Sequence, residues 1–344
     1  MASNKAKELL WPTDSNILVR FVFLYVGQGL STIILIRNKD TYKSLIADIN
    51  LDAENGGINV PVLMSDLLEE SNLDVFINTH PHDDHLKGII ELSDEININE
   101  VWHSGHKPGK KYDDAYRDLM IVVDKVKKQG GNERKLKGSK EEQLIGEAKY
   151  YILSPAKYVT DDISDEDADT RYRRIHEQCA VLKFGMNKIW GILPGDADRD
   201  AFEKHITNYH RERLVSAVLA ASHHGSRTFF RYKEEDEPCL DSLNTINPDY
   251  VIISAPQKSE SKYGHPDDDA VEFYQDKVGK QNVLHTGENR YSYICDIYDD
   301  GSYSGVFDDK GELAESYPID ENKRRTPPTI ITHTRVDDRG MGGI

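Results

Sequence analysis

The chain has 344 residues, a formal net charge of −17 and 38% hydrophobic residues, which is enough for one large domain or two small ones with a real core. Its apolar runs are only strand-sized and its start is polar, so we expect no membrane span and no secretory signal. The three scattered cysteines are typical of reduced packing residues and favour a cytoplasmic protein. The negative charge argues against binding nucleic acid with the whole surface, but a local cationic groove stays open.

Strands and helices are predicted to alternate along most of the chain. Residues 1–15 are expected to be a polar leader or a first short helical turn. The hydrophobic patterns predict strands over residues 17–26, 31–37, 44–49, 74–78, 150–153, 180–184, 188–193, 214–220, 250–254, 283–285 and 291–297. They predict helices over residues 61–70, 113–129, 198–211 and 267–278. This alternation is typical of an α/β layered fold.

Three segments have a composition unlike the rest. Residues 107–149 are locally cationic, and the acidic run 161–169 is followed by the basic run Arg171-Tyr-Arg-Arg174. Such charged runs are usually solvated loops. From residue 308 onward apolar residues are sparse, with a Pro327-Pro328 pair and a glycine-rich end, so residues 308–344 are expected to be an extension that is disordered or docks a protein partner.

The strongest chemical signal is the run Thr79-His-Pro-His-Asp-Asp-His85, which directly follows an apolar strand. Four good metal ligands fall within six positions, namely His80, His82, Asp84 and His85. In an extended loop the first two histidines project to the same side, while the last two ligands lie beyond the turn, so the segment can supply two ligands to each of two adjacent ions. Imidazoles together with a carboxylate suit zinc, with manganese as the alternative. The alternative is a polar, histidine-rich loop that binds no metal.

The HxHxDH pattern resembles the signature of the metallo-β-lactamase superfamily. Further motifs follow in the order of that fold: Asp48 at a strand end, Leu193-Pro-Gly-Asp196, and Ser222-His-His-Gly-Ser226. The resemblance implies an α/β protein, a four-layer αββα sandwich over residues 16–307, followed by the C-terminal extension. It also implies that Asp48 supports the histidine loop through hydrogen bonds.

The sequence resembles most closely the soluble hydrolase domain of the ComEC competence family. The likeness spans residues 17–297 and rests on Val26-Gly-Gln-Gly29, Leu193-Pro-Gly-Asp196, His223-His-Gly-Ser226, Tyr263-Gly-His-Pro266 and Leu284-His-Thr-Gly-Glu-Asn289. The chain departs from that group at Tyr25, where an aspartate is frequent, and at His82, where an acid is frequent. No multi-spanning channel accompanies the domain, so the family's role in DNA uptake does not transfer.

The resemblance implies a site with two divalent ions. One ion is expected on His80, His82 and His176, and the other on Asp84, His85 and either His223 or His224, with Asp196 bridging both. Which of the two adjacent histidines is the ligand stays open, with a mild preference for His223. His176 could instead be an ordinary polar loop residue.

Further residues are candidates for catalysis and substrate binding. The catalytic candidates are Asp84, His224 and His265; the last resembles a residue at the mouth of the site that contacts a phosphoryl oxygen or leaving group, although it could simply cap the helix after Pro266. The substrate-binding candidates are Ser226, Arg171, Arg173 and Arg174. Gln28 lies in a glycine turn that either lines the site or is purely structural. His103 and His106 match no motif and are expected to be surface residues.

The expected function is a metal-dependent hydrolase that uses a hydroxide held between two ions. A phosphodiesterase or nuclease is favoured, with nucleic acid or another phosphodiester as substrate, because the cationic segment 107–149 and the arginine run could guide a polyanion. The alternatives are hydrolysis of a small phosphoester, thioester or lactone, and a metal-containing subunit of a larger assembly that docks through its tail.

Overall fold

The computed structural model describes residues 4–108, 113–159, 167 and 174–320. Its strands are β1 Ile17–Phe23, β2 Thr32–Asn38, β3 Thr41–Ala47, β4 Leu73–Asn78, β5 Ile98–His103, β6 Asn132–Lys135, β7 Gln143–Ile145, β8 Ala148–Ser154, β9 Val181–Met186, β10 Ile189–Leu193, β11 Val218–Ala220, β12 Tyr250–Ile253, β13 Val283–His285, β14 Tyr293–Tyr298 and β15 Tyr303–Asp308. Its α-helices are α1 Lys5–Leu10, α2 Val60–Leu68, α3 Ile89–Glu95, α4 Asp113–Lys128, α5 Thr207–His210, α6 Asp241–Ile246, α7 Asp268–Val278, α8 Thr286–Asn289 and α9 Glu312–Ser316.

The strands form two sheets. The first has eight strands in the order β15-β14-β1-β2-β3-β4-β5-β6, and the second has seven in the order β13-β12-β11-β10-β9-β8-β7. In the first sheet β3, β4, β5 and β6 run parallel, and in the second β10, β11, β12 and β13 do. Parallel neighbours need crossover connections, and helices supply several of them.

Alternating side chains pack the two sheets face to face. On β1, Phe21 contributes to the apolar layer between the sheets, whereas Val22 packs on the opposite face against the layer that contains α2 and α4. The second sheet is covered in the same way by residues 201–210, α6 and α7. A Cβ atom on Gly191 would lie 2.8 Å from the Phe21 ring, so only glycine lets the sheets approach here. The result is a four-layer αββα arrangement.

The strand directions bring several strand ends to one edge of this sandwich. Asp48 follows β3 and Thr79 follows β4, while Asp196 lies shortly after β10 and Ser222 shortly after β11. Strand β9 runs antiparallel to β10, so the residues that precede it lie at this edge as well. Because the carboxyl ends of parallel strands share an edge, the polar segments of both sheets meet there.

Both segments that were expected to lie outside the core contribute to it. Helix α1 buries Leu10, and the Ala6 N–H donates to the hydroxyl of Tyr317 at 2.8 Å, so the start of the chain contacts its later part. Strand β15 pairs with β14 and α9 buries Leu313. The predicted boundaries at residues 15 and 308 therefore do not separate these stretches from the packed domain. Residues 321–344, with Pro327-Pro328, lie outside the described residues.

Several elements differ from the prediction for local reasons. The helix predicted over 198–211 is a π-helix at Ala201–Ile206 that continues into α5, and the strand predicted over 214–220 is reduced to β11. Strands β5, β6, β7 and β15 were not predicted, because they are short or half exposed and lack a clean apolar alternation. Within the described residues, no helix combines the length and apolar character needed to cross a membrane.

A buried ion pair joins β1 to its neighbour β14. Arg20 lies opposite Asp296 in the strand register and donates from Nε and Nη2 to the two carboxylate oxygens at 2.6 and 2.7 Å. The same guanidinium donates from Nη1 to the carbonyl of Leu10 at 3.1 Å, which ties α1 to the sheet. Both side chains are almost fully buried, so each depends on the other for its solvation.

Arg20→Met is expected to lower the free energy of unfolding by about 3–5 kcal/mol, because it leaves the buried Asp296 carboxylate without its partner. The double variant Arg20→Met/Asp296→Leu should lose clearly less than the sum of the two single variants. Lys7→Met, which breaks an exposed pair with Glu69, serves as the control and should change the free energy of unfolding far less. Urea unfolding followed by circular dichroism measures the parent, the two single variants, the double variant and the control, and additive single and double effects would contradict this account.

Candidate metal centre

The loop after β4 is held from below by one buried carboxylate. Asp48, which is completely buried, accepts hydrogen bonds from the Thr79 backbone N–H at 2.8 Å and the Thr79 hydroxyl at 2.6 Å. Asn78 Nδ2 also donates to it, at 3.2 Å. The Nδ1 atom of His85 lies 2.8 Å from its second oxygen. Asp48 thus fixes both ends of the histidine loop, as the resemblance implied.

Hydrogen bonds at the rear of each ring determine which nitrogen faces the site. His85 Nδ1–H donates to Asp48, and His224 Nδ1–H donates to the carbonyl of Ser254 at 2.9 Å. The Nδ1 atom of His80 lies 3.2 Å from the Thr79 hydroxyl and 3.6 Å from Cys179 Sγ. In all three rings Nε2 is the atom that faces the site, which is how metal-binding histidines are commonly oriented; the Nε2 atoms of His85 and His224 lie 3.3 Å apart.

The ligand atoms fall into two groups at the edge of the sandwich. The first consists of His80, His82, His176 and Asp196, and the second of Asp84, His85 and His224; within each group the ligand atoms lie within 4.8 Å of one another. Each group takes residues from both sheets.

Asp196 lies between the two groups and turns one oxygen towards each. Its Oδ2 atom lies 3.5 Å from His80 Nε2 and 3.9 Å from His176 Nε2. Its Oδ1 atom lies 3.1 Å from His85 Nε2 and 3.6 Å from His224 Nε2. This is the arrangement that a carboxylate bridging two ions needs.

The spacing and the unsatisfied atoms both fit divalent cations. Four ligands about 2.0–2.1 Å from a tetrahedral zinc ion are separated from one another by about 3.4 Å, and the distances from Asp196 to its neighbouring imidazoles scatter around that value. The Nε2 atoms of His80 and His176 are buried and have no hydrogen-bond partner among the described residues. Buried imidazole nitrogens rarely remain unsatisfied, so the donor set fits a metal ion.

The two groups differ in their electrostatics when no metal is bound. Burial, with the neighbouring imidazoles, lowers the pKa of His80 and His82 well below its usual value, so these rings are neutral and ready to bind. Burial also acts on His85 and His224, but the Asp196 carboxylate, with Asp48 for the former and Asp84 for the latter, outweighs it and raises the pKa of both. An ion in the second group therefore has to displace protons.

His223 and His265 lie at the site without belonging to either group. The Nε2 atom of His223 is 3.6 Å from Asp196 Oδ2, and the centroid of its ring is 5.1 Å from that of His265. The structure thus assembles the second group with His224, whereas the sequence mildly favoured His223. His223 and His224 adopt positive φ angles of 49° and 56°. They form a tight turn that the sequence pattern did not predict.

The predicted substrate-binding residues are only partly placed. Ser226 is 2% exposed; its hydroxyl accepts from the Thr228 N–H and donates to Asp267 at 3.4 Å, so it closes a turn. Arg174 donates to Glu177 Oε2 at 3.1 Å. Arg171 and Arg173 lie outside the described residues.

The prediction that His103 and His106 are surface residues is wrong. They are 2% and 3% exposed, because the end of β5 and the following loop are covered by neighbouring chain. The Nε2 atom of His103 lies 3.1 Å from Glu133 Oε1, and His106 Nδ1 lies 3.0 Å from the Ser104 hydroxyl. The supporting roles of Cys179 and Ser254 were also missed, since neither belongs to a recognisable motif.

Comparison with known proteins bears on this arrangement. Residues 47–171, which include the histidine loop, match the family model described as the metallo-beta-lactamase superfamily. The match covers about a third of the chain and includes the histidine loop, and the predicted αββα fold class is confirmed. No curated protein matches the sequence.

Several solved structures are similar to the chain at low sequence identity. One is the metallo-beta-lactamase fold protein YhfI from Bacillus subtilis, with 12% identity, 78% of this chain and 95% of that chain covered, and a TM-score of 0.43. Another is Igni18, a metallo hydrolase from Ignicoccus hospitalis KIN4/I, with 11% identity, 84% and 98% covered, and a TM-score of 0.43. A third is a diphosphatase from the PhnP family, with 12% identity, 68% and 86% covered, and a TM-score of 0.35.

Metal analysis of the purified chain is expected to give close to two zinc- or manganese-sized ions per molecule. His176→Ala should lose one ion and His224→Ala the other, since these residues belong to different groups, whereas Asp196→Asn should weaken both sites. His285→Ala is the control, because this ring donates from Nε2 to the Ala255 carbonyl at 3.0 Å and belongs to neither ligand group. Well under one ion in the parent protein, with no gain on reconstitution, would contradict the two-ion assignment.

Proposed function

We propose that this chain is a metal-dependent phosphodiesterase. The observation that carries the proposal is that two ligand groups share the Asp196 carboxylate while two further imidazoles, His223 and His265, lie beside them. A phosphodiester needs a nucleophile and charge neutralisation at the phosphoryl oxygens, and it also needs a group that contacts the leaving oxygen. The motif likeness to the ComEC hydrolase domain supports the same reaction class.

Each of the two ligand groups would hold one metal ion. When bound there, two divalent ions would supply a hydroxide nucleophile near neutral pH and would neutralise the charge that develops on the phosphoryl group. His80, His82, His176 and Asp196 would hold one ion, and Asp84, His85 and His224 the other. No serine, cysteine or lysine nucleophile is required.

A chain of hydrogen bonds fixes the proton on His223. The Thr228 hydroxyl donates to Ser226 Oγ at 3.2 Å, and the Ser226 hydroxyl donates to Asp267 at 3.4 Å. Because both hydroxyl protons are committed, the Thr228 oxygen accepts from His223 Nδ1–H at 2.8 Å. The Nε2 atom of His223 is then the unprotonated nitrogen, turned towards Asp196 and able to accept a proton from a water or hydroxyl group at the site.

His265 is suited to contact with the leaving group. It is mostly buried, and its Nδ1 atom lies 3.7 Å from Asp267 Oδ2, close enough for a charge interaction but too far for a hydrogen bond. Its position next to His223 places an imidazole at the open side of the site. Such a ring can donate to a phosphoryl or leaving oxygen during bond breaking.

The described cations give little support to nucleic acid as the substrate. In the segment 107–149, Lys125 pairs with Asp94, Lys127 with Glu133 and Lys149 with Glu142. These pairs neutralise part of the positive charge that was expected to guide a polyanion. A small phosphodiester, which needs only the ions and the adjacent imidazoles, is therefore the favoured substrate class.

The metal-loaded chain is expected to hydrolyse bis(p-nitrophenyl) phosphate and to leave a chromogenic β-lactam and a thioester essentially untouched. His82→Ala and Asp196→Ala should abolish hydrolysis, whereas His265→Ala should lower kcat by about 10²–10⁴-fold with the metal content unchanged. His285→Ala is again the control. Preferential cleavage of the lactam or thioester, or parental turnover in Asp196→Ala, would overturn the proposal.

The alternative of a nuclease makes a separate prediction about salt. If the chain cuts nucleic acid, its activity on long single or double strands should fall steeply as salt is raised, because bound phosphates displace counterions. Replacing Arg171, Arg173 and Arg174 together by glutamine should then raise KM for long strands and leave bis(p-nitrophenyl) phosphate unaffected. We expect neither effect, and both would restore nucleic acid as the substrate class.

A further inference from the structure

A cavity of about 400 Å³ adjoins the second ligand group. Asp84 belongs both to that group and to the wall of the cavity, so a molecule in the cavity would lie directly beside the metal centre. The lining is strongly acidic, with six carboxylates against two lysines, Lys87 and Lys262. The carboxylates are those of Asp52, Glu54, Asp83, Asp84, Asp114 and Asp118.

Nearby groups compensate only part of this charge. Arg117 pairs with Asp114 at 2.8 Å and reaches Asp118 at 3.7 Å. Asp52 uses its oxygens to accept from the Gln28 and Asn55 backbone N–H groups, which are neutral donors. With Asp84 assigned to the metal centre and Arg117 counted, five carboxylates still face three cations, so the cavity keeps an excess of negative charge.

The amide of Gln28 is an independent sign of a ligand. Gln28 is 7% exposed and lines the cavity. Its Oε1 atom accepts from the Ser261 hydroxyl at 2.8 Å, whereas its Nε2 atom has no hydrogen-bond partner among the described residues. A buried amide group that lacks an acceptor is costly, so an acceptor oxygen on a bound molecule would satisfy it.

The loop that carries Gln28 is pressed against the ligand loop. A Cβ atom on Gly29 would lie 2.6 Å from the Asp84 carbonyl oxygen, and the Leu30 N–H donates to the same oxygen at 3.3 Å. This close approach, possible only with glycine, places the Gln28 amide next to the residue shared by the cavity and the metal centre.

An exposed aromatic ring completes the wall. Tyr263 is 57% exposed and lines the cavity, and the ammonium group of Lys262 lies 5.5 Å from its ring centroid. Lys262 covers one face of the ring, so a bound cation would use the other face. Aromatic faces combined with carboxylates are the usual means of binding an alkylammonium group.

We infer that this cavity binds the alkylammonium arm of a zwitterionic phosphodiester, with the phosphoryl group at the metal centre and the cation among the carboxylates and Tyr263. The inference rests on the proposed phosphodiesterase function. The Gln28 amide donates to an ester or hydroxyl oxygen between the two ends. Each charge of such a substrate would then lie beside the opposite charge. A polyanion would instead be repelled by the acidic wall.

The test compares two p-nitrophenyl phosphodiesters that differ by one charge. One carries a choline arm and the other a 3,3-dimethylbutyl arm, in which carbon replaces the quaternary nitrogen with nearly the same shape. With the metal-loaded chain, kcat/KM for the choline ester is expected to be higher by about 10-fold or more. Calorimetry with phosphocholine and 3,3-dimethylbutyl phosphate should show the same preference in Kd without turnover.

Variants of the cavity wall locate the effect. Glu54→Gln, Asp118→Asn and Tyr263→Leu should each reduce the preference for the choline arm, chiefly through KM. Asp124→Asn is the matched control, because Asp124 is an exposed carboxylate on the same helix as Asp118 and does not line the cavity. It should leave the preference unchanged.

The outcomes separate this inference from the proposed function. Hydrolysis of both esters at equal rates, or a preference for the uncharged arm, would overturn the inference and leave the phosphodiesterase intact. A choline preference that survives all three wall variants would also overturn it, since the cation would then bind elsewhere. Failure of the metal-loaded chain to cleave any phosphodiester would overturn the proposed function itself.

Discussion

The Asp196 carboxylate joins the ligands of the two sheets into one site. The first sheet supplies the ligand loop after β4, and the second supplies Asp196 with His176 and His224. A hydrogen bond from the Ala180 N–H to the Thr79 carbonyl, 2.8 Å long, joins the two halves beside the site. The apolar layer between the sheets therefore does more than stabilise the fold, because its thickness sets the distance between ligands of opposite origin.

Hydrogen bonds from the groups behind the ligands offset the free-energy cost of burying this polar centre. Asp48 accepts several hydrogen bonds at once, so its charge is spread over neutral donors as well as His85. The Ser254 carbonyl orients His224, and the Thr228 hydroxyl orients His223. Each ring is held by its rear nitrogen, so the front nitrogen is positioned before any ion binds, and little ordering remains to be done on binding.

The sequence predicted the parts of the site whose chemistry is concentrated in short motifs. His80, His82, Asp84 and His85 are close together in the chain, and the structure brings His176 and Asp196 next to the first two. The sequence could not decide between His223 and His224 as the ligand. Both residues adopt positive φ angles, and the sequence pattern did not predict this turn. The burial of His103 was missed for a different reason. It depends on the half-polar strands β5 and β6, which have no periodic signal and form only through tertiary pairing.

Charge acts on two length scales in this molecule, and both favour a small substrate. The net charge of −17 repels a polyanion, and this repulsion extends over about 8–10 Å at ordinary salt. On α4 and β8 the cations Lys125, Lys127 and Lys149 are paired with acids, which lowers the positive charge available to a polyanion. Ions bound at the ligand groups would attract a phosphoryl group at short range. The acidic cavity beside them would attract a cation. A substrate with one phosphoryl charge and a compensating cation is not repelled at long range, and at short range each of its charges meets the opposite sign.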